Sequence, residues 1–107
     1  MAKYREGMKV AVEEGRLVVR GRDAGSVCLA NIAEVAAEKV DKVTYDEVFL
    51  IVREHSGDAV ALGELDEGFA QAEAALRAHL TGFPLDWRVG IERAPVGIRE
   101  QVWPTPT

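Results

Sequence analysis

The ten residues NIAEVAAEKV, Asn31–Val40, decide the architecture, because two periodicities are written over them at once. Asn31 followed three positions later by Glu34 has the form of a helix N-terminal capping pair. Ile32, Val35, Ala36 and Val40 fall roughly on one helical stripe. Local propensity therefore favours a helix. The same residues also read with a period of two: Val35, Ala37 and Lys39 alternate with Glu34, Ala36 and Glu38. As a strand, the segment is long enough to pair with the apolar run that follows it.

That run, Val48–Arg53, is apolar on both faces and rich in β-branched residues, as expected of a strand in the middle of a sheet. HSGDA, residues 55–59, reads as a turn. Ala59–Leu65 is a further strand, with Val60 and Leu62 on one face and Ala59, Ala61 and Gly63 on the other. Small residues on that second face predict close packing over it. Upstream, Lys9–Glu13 and Arg16–Arg20 form a hairpin about Glu14-Gly15, because Gly15 allows the positive φ that a two-residue turn needs. GRDAG, residues 21–25, is a loop, and Ser26–Ala30 a third short strand.

A helix is predicted from Glu67 to Leu80, with Phe69, Ala72, Leu76 and Leu80 as its apolar stripe. Asp66 is its expected cap, Leu65 the hydrophobic staple before the cap, and Gly82 and Pro84 its stop. Burying the stripe contributes several kcal/mol, at roughly 1.5–3 kcal/mol per large apolar side chain. Beyond Leu85 the residues Trp87, Val89 and Ile91 alternate, while Pro95, Gly97, Pro104 and Pro106 break any long element. A packed tail with one short element is expected there, anchored by Trp87 and Trp103, with residues 1–7 and 104–107 as frayed ends.

The chain has 107 residues, 48% of them hydrophobic and 29% charged, which is the composition of one globular domain. A net charge of −5 without a basic run argues against binding to nucleic acid or to an anionic membrane, since both depend on Lys and Arg meeting phosphates. No apolar run approaches the length of a membrane-spanning helix, and MAKYREGMKV has no signal-peptide pattern, so the expected location is the cytoplasm. One cysteine, Cys28, agrees with a reducing compartment.

Nothing in the pattern assembles chemistry. His55, His79 and Cys28 fall on three different predicted elements without the paired spacing of a metal site. GRDAGS lacks the lysine and the strand-to-helix setting of a phosphate loop. Adjacent acids such as Glu13-Glu14 and Asp66-Glu67 read as solvated faces. No catalytic residue, metal ligand or cofactor is assigned.

Ile32, Val35, Lys39, Asp41, Thr44, Asp46 and Val48 together spell I-x-x-V-x-x-x-K-x-D-x-x-T-x-D-x-V. Gly68-Phe69, Leu76, Leu80, Gly82-Phe83-Pro84 and Trp87 complete the pattern. Over Leu29–Trp87 this resembles a family of small, uncharacterised bacterial proteins similar to pleckstrin-homology-like domains, although Leu29 stands where such proteins often carry a Trp. The resemblance implies that Glu34–Val40 is a strand. It also implies an α+β fold in which a curved antiparallel β-sheet of about six strands is capped by one C-terminal α-helix.

By analogy of fold, the expected function is a non-catalytic interaction module that contacts a protein partner or a second copy of itself. Phosphoinositide binding is disfavoured, because the first hairpin turn reads EEGR where basic residues would be needed. Lys39, Asp41, Lys42, Tyr45 and Asp46 flank the turn before Val48. Their side chains shape that corner, and they are also the candidate contact surface. The alternative is a small-ligand binder or small enzyme using a pocket between helix and sheet.

Overall fold

In a computed structural model of the chain, residues 9–21, 24–41 and 43–105 are described. The hairpin forms as the sequence predicts. Strands β1 (Lys9–Glu13) and β2 (Arg16–Arg20) pair antiparallel. Glu14 and Gly15 between them both have positive φ, 49° and 79°, which matches the twist of the flanking strands. Arg20 grips Glu13 with two hydrogen bonds of 2.9 and 2.7 Å, and these bonds hold the Glu13 carboxyl below its ordinary pKa. Strand β3 (Gly25–Cys28) pairs with β2 and completes a three-stranded sheet in the order β1-β2-β3.

A single turn of 3₁₀ helix, Leu29–Asn31, then carries the chain into β4 (Ile32–Asp41), the segment whose reading was open. It is a strand throughout. β4 pairs along its length with β5 (Asp46–Glu54) and, on its other edge, with β7 (Arg99–Trp103), while β6 (Ala59–Gly63) pairs with β5. The second sheet therefore runs β6-β5-β4-β7, all antiparallel. Asn31 caps no helix; its carbonyl accepts the His55 N–H at 3.0 Å. Ladders on both edges of β4 outweigh a helix preference of a few tenths of a kcal/mol per residue.

The fold is thus α+β with antiparallel sheets, but the single six-stranded sheet with one helix is corrected in two respects. Among the described residues seven strands divide between two sheets, and a 3₁₀ turn stands between β3, the last strand of the first sheet, and β4, which belongs to the second. The described residues also form two α-helices rather than one, α1 (Phe69–His79) and α2 (Trp87–Arg93). The tail expected to hold one short element supplies both α2 and β7.

α1 starts two residues later than predicted, and neither its cap nor its staple is as expected. Gly68, at φ 89°, stands at its N-terminus. The Asp66 carboxylate instead turns back to accept the Gly63 N–H at 2.9 Å, and Leu65 is 60% exposed. The tight turn after β6 needs that acceptor more than the helix does. On its buried side α1 presents Phe69, Ala72 and Leu76, as its stripe predicts, and it packs against β1. Val10 N–H donates to the Glu67 carbonyl at 2.8 Å, which fixes the start of α1 to the edge of that strand.

α2 lies against β4 and β7, with Trp87 and Ile91 buried. Trp87 Nε1–H donates to Glu73 on α1 at 2.8 Å, and Trp103 Nε1–H donates to the Thr81 carbonyl just past that helix, also at 2.8 Å. One hydrophobic cluster draws Leu17 and Val19 from the first sheet, Val35, Leu50 and Leu62 from the second, and Leu76 and Ile91 from the helices. The sheets are also joined by a buried acid. Glu54, at the end of β5, accepts the Cys28 N–H of β3 at 2.7 Å. No helix among the described residues is long and apolar enough to cross a membrane.

Candidate interaction surface

Antiparallel order brings the end of β4, the start of β5, the end of β6 and the start of β7 to one end of the four-stranded sheet. The residues singled out in the sequence gather here. Lys39 is half-buried, and its ammonium donates to the Glu92 carbonyl on α2 at 2.7 Å. Asp41 closes β4 and uses its carboxylate to accept the Val43 N–H at 2.8 Å, the turn-shaping role expected of it. Tyr45 and Asp46 are exposed at the start of β5, with Tyr45 at 44%. Lys42 lies outside the described residues.

Val43 is the unusual member of this corner. Its φ is +79°, a left-handed conformation that costs a β-branched residue about 1–2 kcal/mol, and its side chain is 93% exposed. Strain and exposure coincide, and no packing offsets either. Around it the same end carries other exposed apolar side chains: Leu65 beyond β6, and Val96 and Ile98 before β7. The connection to β7 is tied in by Gly97 N–H, which donates to the Lys39 carbonyl at 3.1 Å. Three separate connections thus place large apolar groups on one rim, with Asp41, Asp46 and Lys39 among them.

Beneath the rim lies an acidic layer that sequence reasoning missed. Glu47 is fully buried, as is Asp66 nearly, and both carboxylates approach Gly63 beside the ring of Phe49. Glu64 accepts the Val48 N–H at 3.3 Å and pairs with Arg88 of α2 at 3.5 Å. The Arg88 guanidinium in turn stacks 4.8 Å over the Trp87 ring. Position 47 sits on the face of β5 that also holds Phe49, Ile51 and Arg53, so alternation alone offered no sign that this acid would be enclosed.

The helix–sheet pocket of the alternative reading has a counterpart, a groove of about 400 Å³. Lys9–Val12 of β1 form one wall, and Glu67, Gly68 and Gln71 form the other. Its charged pair, Lys9 and Glu67, stands 3.4 Å apart and open to solvent. No histidine or cysteine lines it. His55 is exposed in the β5–β6 turn, and His79 folds its ring back onto the Ala75 carbonyl at 3.0 Å. Among the described residues, no three His, Cys, Asp or Glu side chains converge as a metal-binding group.

No protein family, curated protein or solved structure matches the chain.

Proposed function

We propose that this chain is a non-catalytic protein-interaction module on a pleckstrin-homology-like scaffold. It engages a protein partner through the rim formed by the β4–β5 corner, with Lys39, Asp41, Lys42, Tyr45 and Asp46 as its polar contacts. Val43 carries the reading. A sequence selected for stability alone would place glycine or asparagine at φ +79°, whereas an outward-facing valine there supplies apolar contact area at a cost to the free protein. Leu65, Val96 and Ile98 enlarge that area, and charged groups around an apolar centre are the usual anatomy of a binding patch.

Val43→Gly separates function from folding. The variant relieves the backbone strain, so it melts at the same or a higher temperature than the parent, while its retention of the partner in affinity capture from the native cell falls about tenfold or more. Size measurement in solution reports in the same way if the partner is a second copy. Undiminished retention by Val43→Gly would refute the assignment of this rim. The groove beside β1 supports a second reading, small-ligand binding, since its volume falls within the range of roughly 300–1,000 Å³ seen in ligand sites. On that reading Gln71→Trp, which fills the groove, abolishes ligand binding that Val43→Gly leaves intact.

A further inference from the structure

The two faces of the four-stranded sheet are used differently. Val35, Ala37, Leu50, Val52 and Leu62 point to one face and join the hydrophobic cluster, and both helices reach that cluster through Leu76 and Ile91. Glu34, Ala36, Ile51, Arg53, Ala59 and Ala61 alternate to the other face, over which neither described helix packs. Ala59 is exposed there, and Ile51 and Ala61 are half-buried. The close packing that small residues on β6 predict is therefore supplied at Ala59 and Ala61 by no element among the described residues.

That outer face is complementary to itself. β4 and β5 are the central strands of the sheet, and their register sets Glu34 beside Arg53 and Ala36 beside Ile51. A second copy related by a half-turn about an axis along the strands, in the interface and between β4 and β5, lays β5 of each copy over β4 of the other. Every residue on these strands then faces the copy of its own cross-strand neighbour. Arg53 meets Glu34 of the second copy, and the ion pair made within each copy at 2.6 Å becomes part of a ring of alternating charges. The adjoining row runs Ala61, Ile51, Ala36, Gln101 across the four strands. Reversed over itself, it sets Ile51 on Ala36 and Gln101 on Ala61, so a large side chain meets a small one at each place.

We propose that this chain forms an isologous dimer by stacking the outer faces of two four-stranded sheets, with Ile51 over Ala36 at the centre and Arg53–Glu34 pairs between the copies. Strands spaced about 4.8 Å apart make the face about 19 Å wide. β6 and β7 are shorter than β4 and β5, so the contact falls below the roughly 800 Å² per partner of a standard stable complex. The dimer is accordingly weak, dissociating at micromolar rather than nanomolar concentration. Its surface is separate from the rim around Val43 and does not rest on the function proposed for that rim.

Sedimentation equilibrium of the full chain from about 1 to 500 μM reads the association directly. The parent shifts from monomer toward dimer across that range. Glu34→Arg and Arg53→Glu each place like charges across the interface, and each alone weakens association about tenfold or more. Mixed in equal amounts the two variants associate with one another, because the arginines of one then face the glutamates of the other. Within each copy the like-charged pair persists, so recovery in the mixture is not repair of the fold, which circular dichroism of each variant verifies separately. Ile51→Lys also gives a monomer, whereas Val43→Gly associates as the parent does. The proposal is overturned by a parent that stays monomeric throughout, by a mixture that associates no better than either variant alone, by undiminished association of Ile51→Lys, or by loss of the dimer in Val43→Gly, which would move the contact to the rim.

Discussion

Single backbone positions set the tightest limits on this molecule. Gly68 combines a φ of 89° with an approach to β1 so close that an added Cβ would overlap the Val10 carbonyl oxygen. Gly15 has similar φ but open space around it, so a side chain there meets only the conformational cost. Gly15→Ala is expected to lose about 1 kcal/mol. Gly68→Ala must in addition push α1 away from the strand, and a loss of about 3 kcal/mol or more is expected in urea unfolding. Equal losses at the two sites would mean that the β1–α1 contact is softer than described. At this scale the sequence was half legible. Gly15 is recognisable from its place between two alternating runs, whereas nothing local to Gly68 reveals that a carbonyl from 58 positions earlier presses on it.

At the scale of elements, the outcome turned on which partner each segment found. Asn31–Val40 carried helix and strand patterns together, and the long apolar run at Val48–Val52 was the legible clue that a strand partner existed. The tail misled for a related reason. Trp87, Val89 and Ile91 alternate like a strand, yet Trp87 and Ile91 are also one helical turn apart, and only they are buried. Burial against β4, not the alternation, selected the helix. Leu65 looked like a staple because it precedes an acid, but the acid was engaged by Gly63. Ile91→Ala removes the fully buried anchor of α2 and is expected to cost about 2–5 kcal/mol. Val89→Ala on the exposed side should cost less than about 0.5 kcal/mol. Comparable losses in a thermal melt would show that α2 is not seated by Ile91.

For the molecule as a whole, the two sheets behave as one body only if their junction holds. Glu54 is buried at that junction, where it accepts the Cys28 N–H and lies 3.8 Å from Arg16. Removing it leaves an amide without its acceptor, so Glu54→Ala should destabilise by about 1–3 kcal/mol. The parent is expected to unfold in one step, with tryptophan fluorescence from Trp87 and Trp103 coinciding with far-ultraviolet circular dichroism. Separate transitions in the parent would make the sheets independent units. The β4–β7 pairing also bears on biosynthesis. Arg99 follows Glu38, its neighbour across that ladder, by 61 residues. At roughly 5–20 residues per second, a ribosome needs about 3–12 seconds to deliver the strand that covers this side of β4. Throughout that interval the nascent chain exposes an uncovered, largely apolar ribbon, which makes it a natural client for chaperones that shield unpaired strands.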